Sequence, residues 1–93
     1  MLIHVNRITP ILKRHHVAYA ALFGSQAKGT ATSKSDVDII VRFNKSVGFI
    51  ELVRLEQALS AKLGRPVDLV TERALSPYIR DTVLREARTI YGK

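Results

Sequence analysis

The sequence has 93 residues, 46% of them hydrophobic, which fits one small globular domain spanning residues 1–93. It contains no Cys, which excludes a disulfide framework and a thiolate metal site. No apolar run reaches the roughly 18 residues of a membrane span. We therefore expect a soluble, cytoplasmic protein with no membrane attachment. Its thin core leaves room for stabilisation by self-association or a partner.

The net charge of +7 favours attraction to phosphates, nucleic acid or an acidic protein. The basic residues are scattered along the chain, and aromatic residues make up only 6% of it. A base-stacking surface is therefore unsupported, and a nucleic-acid-binding module stays a minor alternative.

A helix and a short strand are predicted first. The helix rests on residues at helical spacing, namely Val5, Ile8, Leu12 and His15, with Thr9-Pro10 either capping a short helix or bending a longer one. The apolar run 18–23 ends in Gly24-Ser25, which predicts a buried strand that stops at a tight turn. Residues 25–28 could form one helical turn in the polar loop that follows.

A second strand and a long helix come next. Alternation places Val37, Ile39, Val41 and Phe43 on one face and Asp36, Asp38, Ile40 and Arg42 on the other. From a cap at Ser46, a helix is predicted with a stripe of Leu52, Leu55, Leu59 and Leu63, ending at Gly64.

The third strand is predicted over residues 66–71, with Asp68 and Val70 on one face. Ser76-Pro77 begins a last helix, whose apolar face carries Ile79, Val83, Ala87 and Ile90 and whose exposed face carries Arg80, Arg85 and Arg88. Tyr91 either begins a further strand or frays.

These elements predict an α+β fold in the order α-β-(α)-β-α-β-α, a small mixed sheet flanked by helices. The long helix is a crossover that suits parallel pairing of the second and third strands, whereas the first and second should run antiparallel. This topology brings Gly24-Ser25, Asp36, Asp38 and Asp68 to one edge of the sheet.

Asp36 and Asp38 are two apart on a strand, so both side chains leave the same face. Asp68 would add a third carboxylate from the next strand. Three such charges within about 5 Å repel by roughly 3 kcal/mol per pair at an effective dielectric of about 20, and a bound divalent cation relieves this repulsion. Mg²⁺ prefers one or two carboxylates plus substrate phosphates, and Gly24-Ser25 offers amide donors for phosphate. A single Asp-x-Asp is nevertheless common by chance, so the combination carries the information.

The residues LFGSQAKGTATSKSDVDIIV resemble the signature of the DNA polymerase beta-like nucleotidyltransferase superfamily: Gly-Ser, ten residues, then Asp-x-Asp. The flanking Ala27-Lys28-Gly29 and Ser35-Asp36, and the later GRPVDLVT, are similar to the minimal nucleotidyltransferase branch. That branch commonly has Arg where Lys28 stands, and Lys lacks the bidentate fork of Arg.

The resemblance implies Mg²⁺-dependent transfer of a nucleoside monophosphate from a triphosphate such as ATP. Gly24 and Ser25 would hold the triphosphate, with Lys28 and Ser35 as further nucleotide-binding residues. Asp36, Asp38 and Asp68 would be catalytic and would bind two metal ions that stabilise the entering and leaving oxygens.

Minimal members are similar to antitoxins paired with a HEPN-type ribonuclease toxin, encoded next door, that they bind and can adenylylate on tyrosine. An adenylyltransferase antitoxin is the leading hypothesis. The alternatives are an antitoxin that neutralises its toxin by contact alone, and the basic nucleic-acid-binding module.

Overall fold

A computed structural model describes residues 5–24 and 36–92. Its elements, in chain order, are α1 (Val5–Arg14), β1 (Val17–Phe23), β2 (Val37–Phe43), α2 (Phe49–Leu63), β3 (Val67–Thr71), a 3-10 turn (Glu72–Ala74), α3 (Pro77–Glu86) and β4 (Arg88–Gly92). The four strands form one mixed sheet in the order β3-β2-β1-β4. The α+β class, the antiparallel β1–β2 pair and the parallel β2–β3 pair are confirmed.

The core lies between one face of the sheet and the helices α1 and α2. Helix α1 spans Pro10 and buries Ile8, Ile11 and Leu12, while α2 buries Leu55 and Leu59. They pack on alternate strand residues, which are Ala20, Leu22, Val37, Ile39, Val41, Val67 and Leu69. The predicted alternation of β2 and the leucine stripe of α2 are therefore confirmed.

The opposite face of the sheet is more lightly covered. Ala21 and Ile40 are register partners on this face, and both are fully buried. Helix α3 contacts β1 but buries none of its own residues. Residues near the strand ends on this face therefore keep access to solvent, and Asp38 is one of them.

The crossover helix α2 ends as predicted but begins later. Gly64 adopts φ +69° and its N–H donates to the carbonyl of Ser60 at 2.9 Å, which is a left-handed helix end that favours glycine. The predicted cap at Ser46 is wrong, because residues 46–48 are not helical and the N-cap is Gly48, whose position makes no side-chain cap bond.

The carboxyl-terminal part differs most from the prediction. Helix α3 ends at Glu86 instead of continuing to Ile90, and residues Arg88–Gly92 form a fourth strand antiparallel to β1. Arg88 is thus a strand residue and not part of a helix face. Arg80 is half-buried, since its guanidinium donates to the carbonyls of Glu72 at 3.1 Å and Leu75 at 3.0 Å.

In the described ranges, no helix has both the length and the apolar character needed to cross a membrane.

Candidate active site

Two carboxylates lie side by side at the start of the parallel strand pair. Asp38 is the second residue of β2, Asp68 is the second residue of β3, and the two are register partners. Neighbouring strands lie about 4.8 Å apart, and paired residues point to the same face. This face is the one opposite the core, because Val37 and Ile39 beside Asp38 are buried in the core. Asp36 immediately precedes β2 and is exposed.

The surroundings of Asp38 disfavour its charged form. Partial burial of the carboxyl, followed by the negative charges of Asp68 and then Asp36, raises the pKa of Asp38 above its ordinary value. Since like charges and desolvation both act against ionisation, a cation or a hydrogen-bond donor at this point would be favoured. The charges of Asp68 and Asp36 therefore both act on Asp38, so the three predicted carboxylates interact electrostatically.

Gly24 approaches the same carboxylate from the end of β1. Phe23 is the register partner of Asp38, so the chain leaves β1 directly beside it. Gly24 has φ +66°, and a Cβ built on it would lie 2.7 Å from Asp38 Oδ2. Any side chain here would be strained in the backbone and would displace the carboxylate. Glycine therefore fits this position without backbone strain and leaves the Asp38 carboxylate in place, in agreement with the predicted tight turn.

Other predicted site residues lie outside the described part of the chain, namely Ser25, Lys28 and Ser35, as does the possible helical turn over residues 25–28. Among the residues that are described, no three His or acidic side chains converge closely enough to form a complete metal site by themselves. Asp38 and Asp68 are instead a neighbouring pair, with Asp36 close enough to act on Asp38 through its charge.

Sequence reasoning missed two residues of α2 that touch the strand carrying Asp68. Ser60 Oγ accepts a hydrogen bond from the Val67 N–H at 3.0 Å, and Glu56 Oε2 accepts one from the Leu69 N–H at 3.0 Å. Their spacing of four residues on a helix places them on one side of it. The signal was weak, because the partners are backbone amides, which no side-chain pattern reveals.

A cavity of about 440 Å³ lies away from the aspartates, at the carboxyl ends of β2 and β3, where Arg42, Lys45, Glu72 and Arg73 are among its lining residues. Arg42 lies four residues beyond Asp38 on the same strand, a distance of about 13 Å. Its guanidinium pairs with Glu72 at 3.3 Å and lies 5.1 Å from the centre of the Tyr19 ring. The size of this cavity does not make it the reaction site, because the carboxylates are at the other end.

The fold is that of a nucleotidyltransferase, as comparison with known proteins shows. A family model described as "Polymerase beta, Nucleotidyltransferase" matches residues 6–93. The chain belongs to this family.

Several relatives are named as protein adenylyltransferases. A Methanocaldococcus jannaschii protein, provisionally named a protein adenylyltransferase, is 40% identical over 81 residues, which cover 87% of each chain. The protein adenylyltransferase MntA of Thermococcus cleftensis is 42% identical over 74 residues, covering 80% of this chain and 75% of that one.

Two solved structures of the same fold are toxin–antitoxin structures. A toxin–antitoxin structure with AMP-PNP superposes with a TM-score of 0.84 at 29% identity, over 98% of this chain and 75% of that chain. A complex of the tri-AMPylated HEPN toxin of Shewanella oneidensis with its MNT antitoxin gives a TM-score of 0.73 at 26% identity, over 96% and 70% of the two chains.

Proposed function

We propose that this chain is an adenylyltransferase antitoxin, which moves AMP from ATP onto a tyrosine hydroxyl of a HEPN-type ribonuclease toxin encoded by the adjacent gene. The observation that carries the proposal is the placement of Asp38 beside Asp68, with Gly24 against Asp38. The names of the relatives and the complexes of the structural neighbours support the choice of nucleotide and partner.

Magnesium fits the donor set. The pair Asp38 and Asp68 offers hard oxygen ligands on one face, and Mg²⁺ is usually held by one or two carboxylates together with substrate phosphates. Phosphate oxygens of the substrate would complete the coordination of a metal held by this pair. When bound, the metal would neutralise phosphate charge and support both the entering and leaving oxygens.

The residues have separate tasks in this proposal. Gly24, with Ser25, Lys28 and Ser35, would hold the triphosphate. Asp36 and Asp38 would orient it through the Mg²⁺ that they would hold, so that the α-phosphorus faces the acceptor. Asp68 is placed on the edge strand of the sheet, where an incoming hydroxyl can reach it.

The transfer is an in-line displacement at the α-phosphorus. The acceptor oxygen forms a bond to the α-phosphorus while the bond between that phosphorus and the α–β bridging oxygen breaks, and pyrophosphate leaves. The hydroxyl proton passes to the Asp68 carboxylate and from there to water. Positioning and charge stabilisation do most of the catalytic work in such transfers.

A protein acceptor suits the chemistry of this chain. Its net charge of +7 would attract an acidic surface and raise the rate of encounter. In the Shewanella oneidensis complex the HEPN toxin is the AMP-carrying component. By analogy, the toxin would supply both the hydroxyl and the docking surface.

The test is to co-express the chain with the product of the adjacent gene, add ATP and Mg²⁺, and measure the intact mass of that product. Each transferred AMP group adds about 329 Da to the partner, because pyrophosphate leaves, so the intact mass distinguishes one, two and three additions. The Asp36→Asn variant should bind the partner without modifying it. If wild type neutralises the toxin with no added mass, the antitoxin acts by contact alone. If a small molecule or an RNA end gains AMP instead, the toxin is not the acceptor.

A further inference from the structure

The outer edge of β3 is hydrogen-bonded to two side chains of α2. Strand β3 is the edge strand, so amides that face away from β2 have no strand partner. Two of them, from Val67 and Leu69, donate to Ser60 Oγ and Glu56 Oε2, each at 3.0 Å. These two amides flank Asp68 on either side.

The geometry of helix and strand makes this a two-point attachment. Residues four apart on a helix rise about 6 Å, and residues two apart on a strand advance about 6.6 Å. Glu56 and Ser60 therefore match the spacing of the outward amides and fix the position of β3 along α2. Because strand amides alternate in direction, the N–H and C=O of Asp68 itself face β2.

Ser60 also holds the chain entering β3. Its backbone carbonyl accepts hydrogen bonds from Gly64 at 2.9 Å and Arg65 at 3.3 Å, while its hydroxyl holds Val67. One residue thus links the left-handed end of α2 to the first residue of the strand. A shift of β3 along its axis would have to break the Val67–Ser60 and Leu69–Glu56 hydrogen bonds together.

Within residues 5–24 and 36–92, no side chain gives the Asp68 carboxylate comparable support. It is exposed, and it makes no hydrogen bond or ion pair with another described residue. The negative charge of Asp38 beside it acts to push it away. Its position therefore depends on the backbone to which it is attached, and that backbone is held by Glu56 and Ser60.

We infer that Glu56 and Ser60 are positioning residues for Asp68, which hold its strand in register with β2 so that its carboxylate stays beside Asp38. The inference rests on the proposed function, in which Asp68 acts in nucleotidyl transfer. A misplacement of about 1 Å in such a group can lower a rate by about 100-fold, although the misplaced residue itself remains present.

The test compares three variants with the parent in the full chain and its partner. Glu56→Met removes the acceptor at similar size, and Glu56→Gln keeps a carbonyl oxygen that can accept from Leu69. Leu52→Ala destabilises the same helix one turn before Glu56, at a partly buried position whose apolar side chain accepts no hydrogen bond from β3. Rates of AMP transfer and pyrophosphate release are measured well below each melting temperature, across a Mg²⁺ titration. Amide hydrogen exchange is recorded for Val67 and Leu69.

Glu56→Met should lower kcat by about 10-fold, with the KM for ATP little changed, and should raise the Mg²⁺ concentration needed for half the maximal rate. Glu56→Gln should recover most of kcat. Leu52→Ala should lose melting temperature yet keep kcat and the Mg²⁺ dependence. Relative to the other amides of β3, exchange of the Leu69 amide should accelerate in Glu56→Met alone.

Equal kcat in Glu56→Met and the parent would overturn the inference, as would an equal loss in Leu52→Ala or no recovery in Glu56→Gln. A parent chain that transfers AMP to no acceptor would remove the proposed function and this inference with it. An active parent with unchanged Glu56→Met kinetics would remove the inference only.

Discussion

Replacing Gly24 with Ala tests whether the end of β1 sets the position of the Asp38 carboxylate. The new Cβ would impose two costs. The first is backbone strain from φ +66°, about 1 to 2 kcal/mol for a residue with a side chain. The second is displacement of Asp38 Oδ2, which would lie 2.7 Å from the Cβ. Since that oxygen ends a rotatable side chain, it can move with little loss of stability, but it then leaves its place beside Asp68.

Gly64 supplies a matched control. Its φ is +69°, and a Cβ there would meet nothing within 4 Å, so Gly64→Ala carries the strain without the displacement. Both variants should therefore lose about 1 to 2 kcal/mol, a fall in melting temperature of about 4 to 8 °C per kcal/mol. Only Gly24→Ala should also lose AMP transfer, by about 100-fold.

The assay is thermal unfolding of both variants, followed by initial rates of pyrophosphate release at a temperature where both are folded. Equal rates in Gly24→Ala and Gly64→Ala would refute the reasoning, because the close approach to Asp38 would then have no effect on the site. A far larger stability loss in Gly24→Ala would instead mean that the carboxylate cannot rotate away and that the contact is structural.

Three further expectations concern the carboxylates, the ligand and the core. Asp38→Asn should abolish transfer yet raise metal-free stability at neutral pH by about 1 kcal/mol, since it removes charge repulsion across about 5 Å at a partly solvent-exposed end of the strands. The raised pKa of Asp38 means that the folded state binds the proton more tightly than the unfolded state. The parent should therefore lose stability as pH rises from about 3.9 through the raised value, and the advantage of Asp38→Asn should vanish below this window. Melting curves against pH would show this, and a pH-independent difference would contradict it. Mg²⁺ and ATP together should raise the melting temperature more than either alone, and at about 100 times Kd they should add about 2.7 kcal/mol to the free energy of unfolding. Equal stabilisation by ATP in the presence of a chelator would exclude a metal from the site. Leu59→Ala, at a fully buried position, should cost about 2 to 5 kcal/mol in denaturant unfolding, and a loss under 1 kcal/mol would show that α2 is not firmly packed.

The central strands and the crossover were predictable because their signals are local. Alternation in β2 and the leucine stripe ending at Gly64 each determine an element from neighbouring residues, and the parallel pairing of β2 with β3 follows from the length of the helix between them. The juxtaposition of Asp38 and Asp68 follows from that pairing. Their detailed electrostatics, with Asp38 as the perturbed member, depends on burial and required the structure.

A strand beginning at Tyr91 was one of two alternatives, but its start at Arg88 could not be predicted, for the opposite reason. Val83, Ala87 and Ile90 continue a helical spacing, so local sequence favours a longer helix. What decides the outcome is pairing with β1, in which Ala20 faces Tyr91 from the other end of the chain. Arg80 was misjudged in a related way, because its partners are carbonyls of the 3-10 turn, and only tertiary structure brings them together.

The pairing of β4 with β1 also determines when, during synthesis, the second edge of β1 gains a strand partner. Strand β1 is translated early, yet one of its two edges is completed only by β4, the last of the described elements. Until β4 emerges from the ribosome, the edge that runs from Tyr19 to Leu22 has open amides and carbonyls that other chains could pair with. A pause or truncation before Arg88 would thus leave a nascent chain exposed to aggregation, and a partner or chaperone that engages it co-translationally would shield that edge.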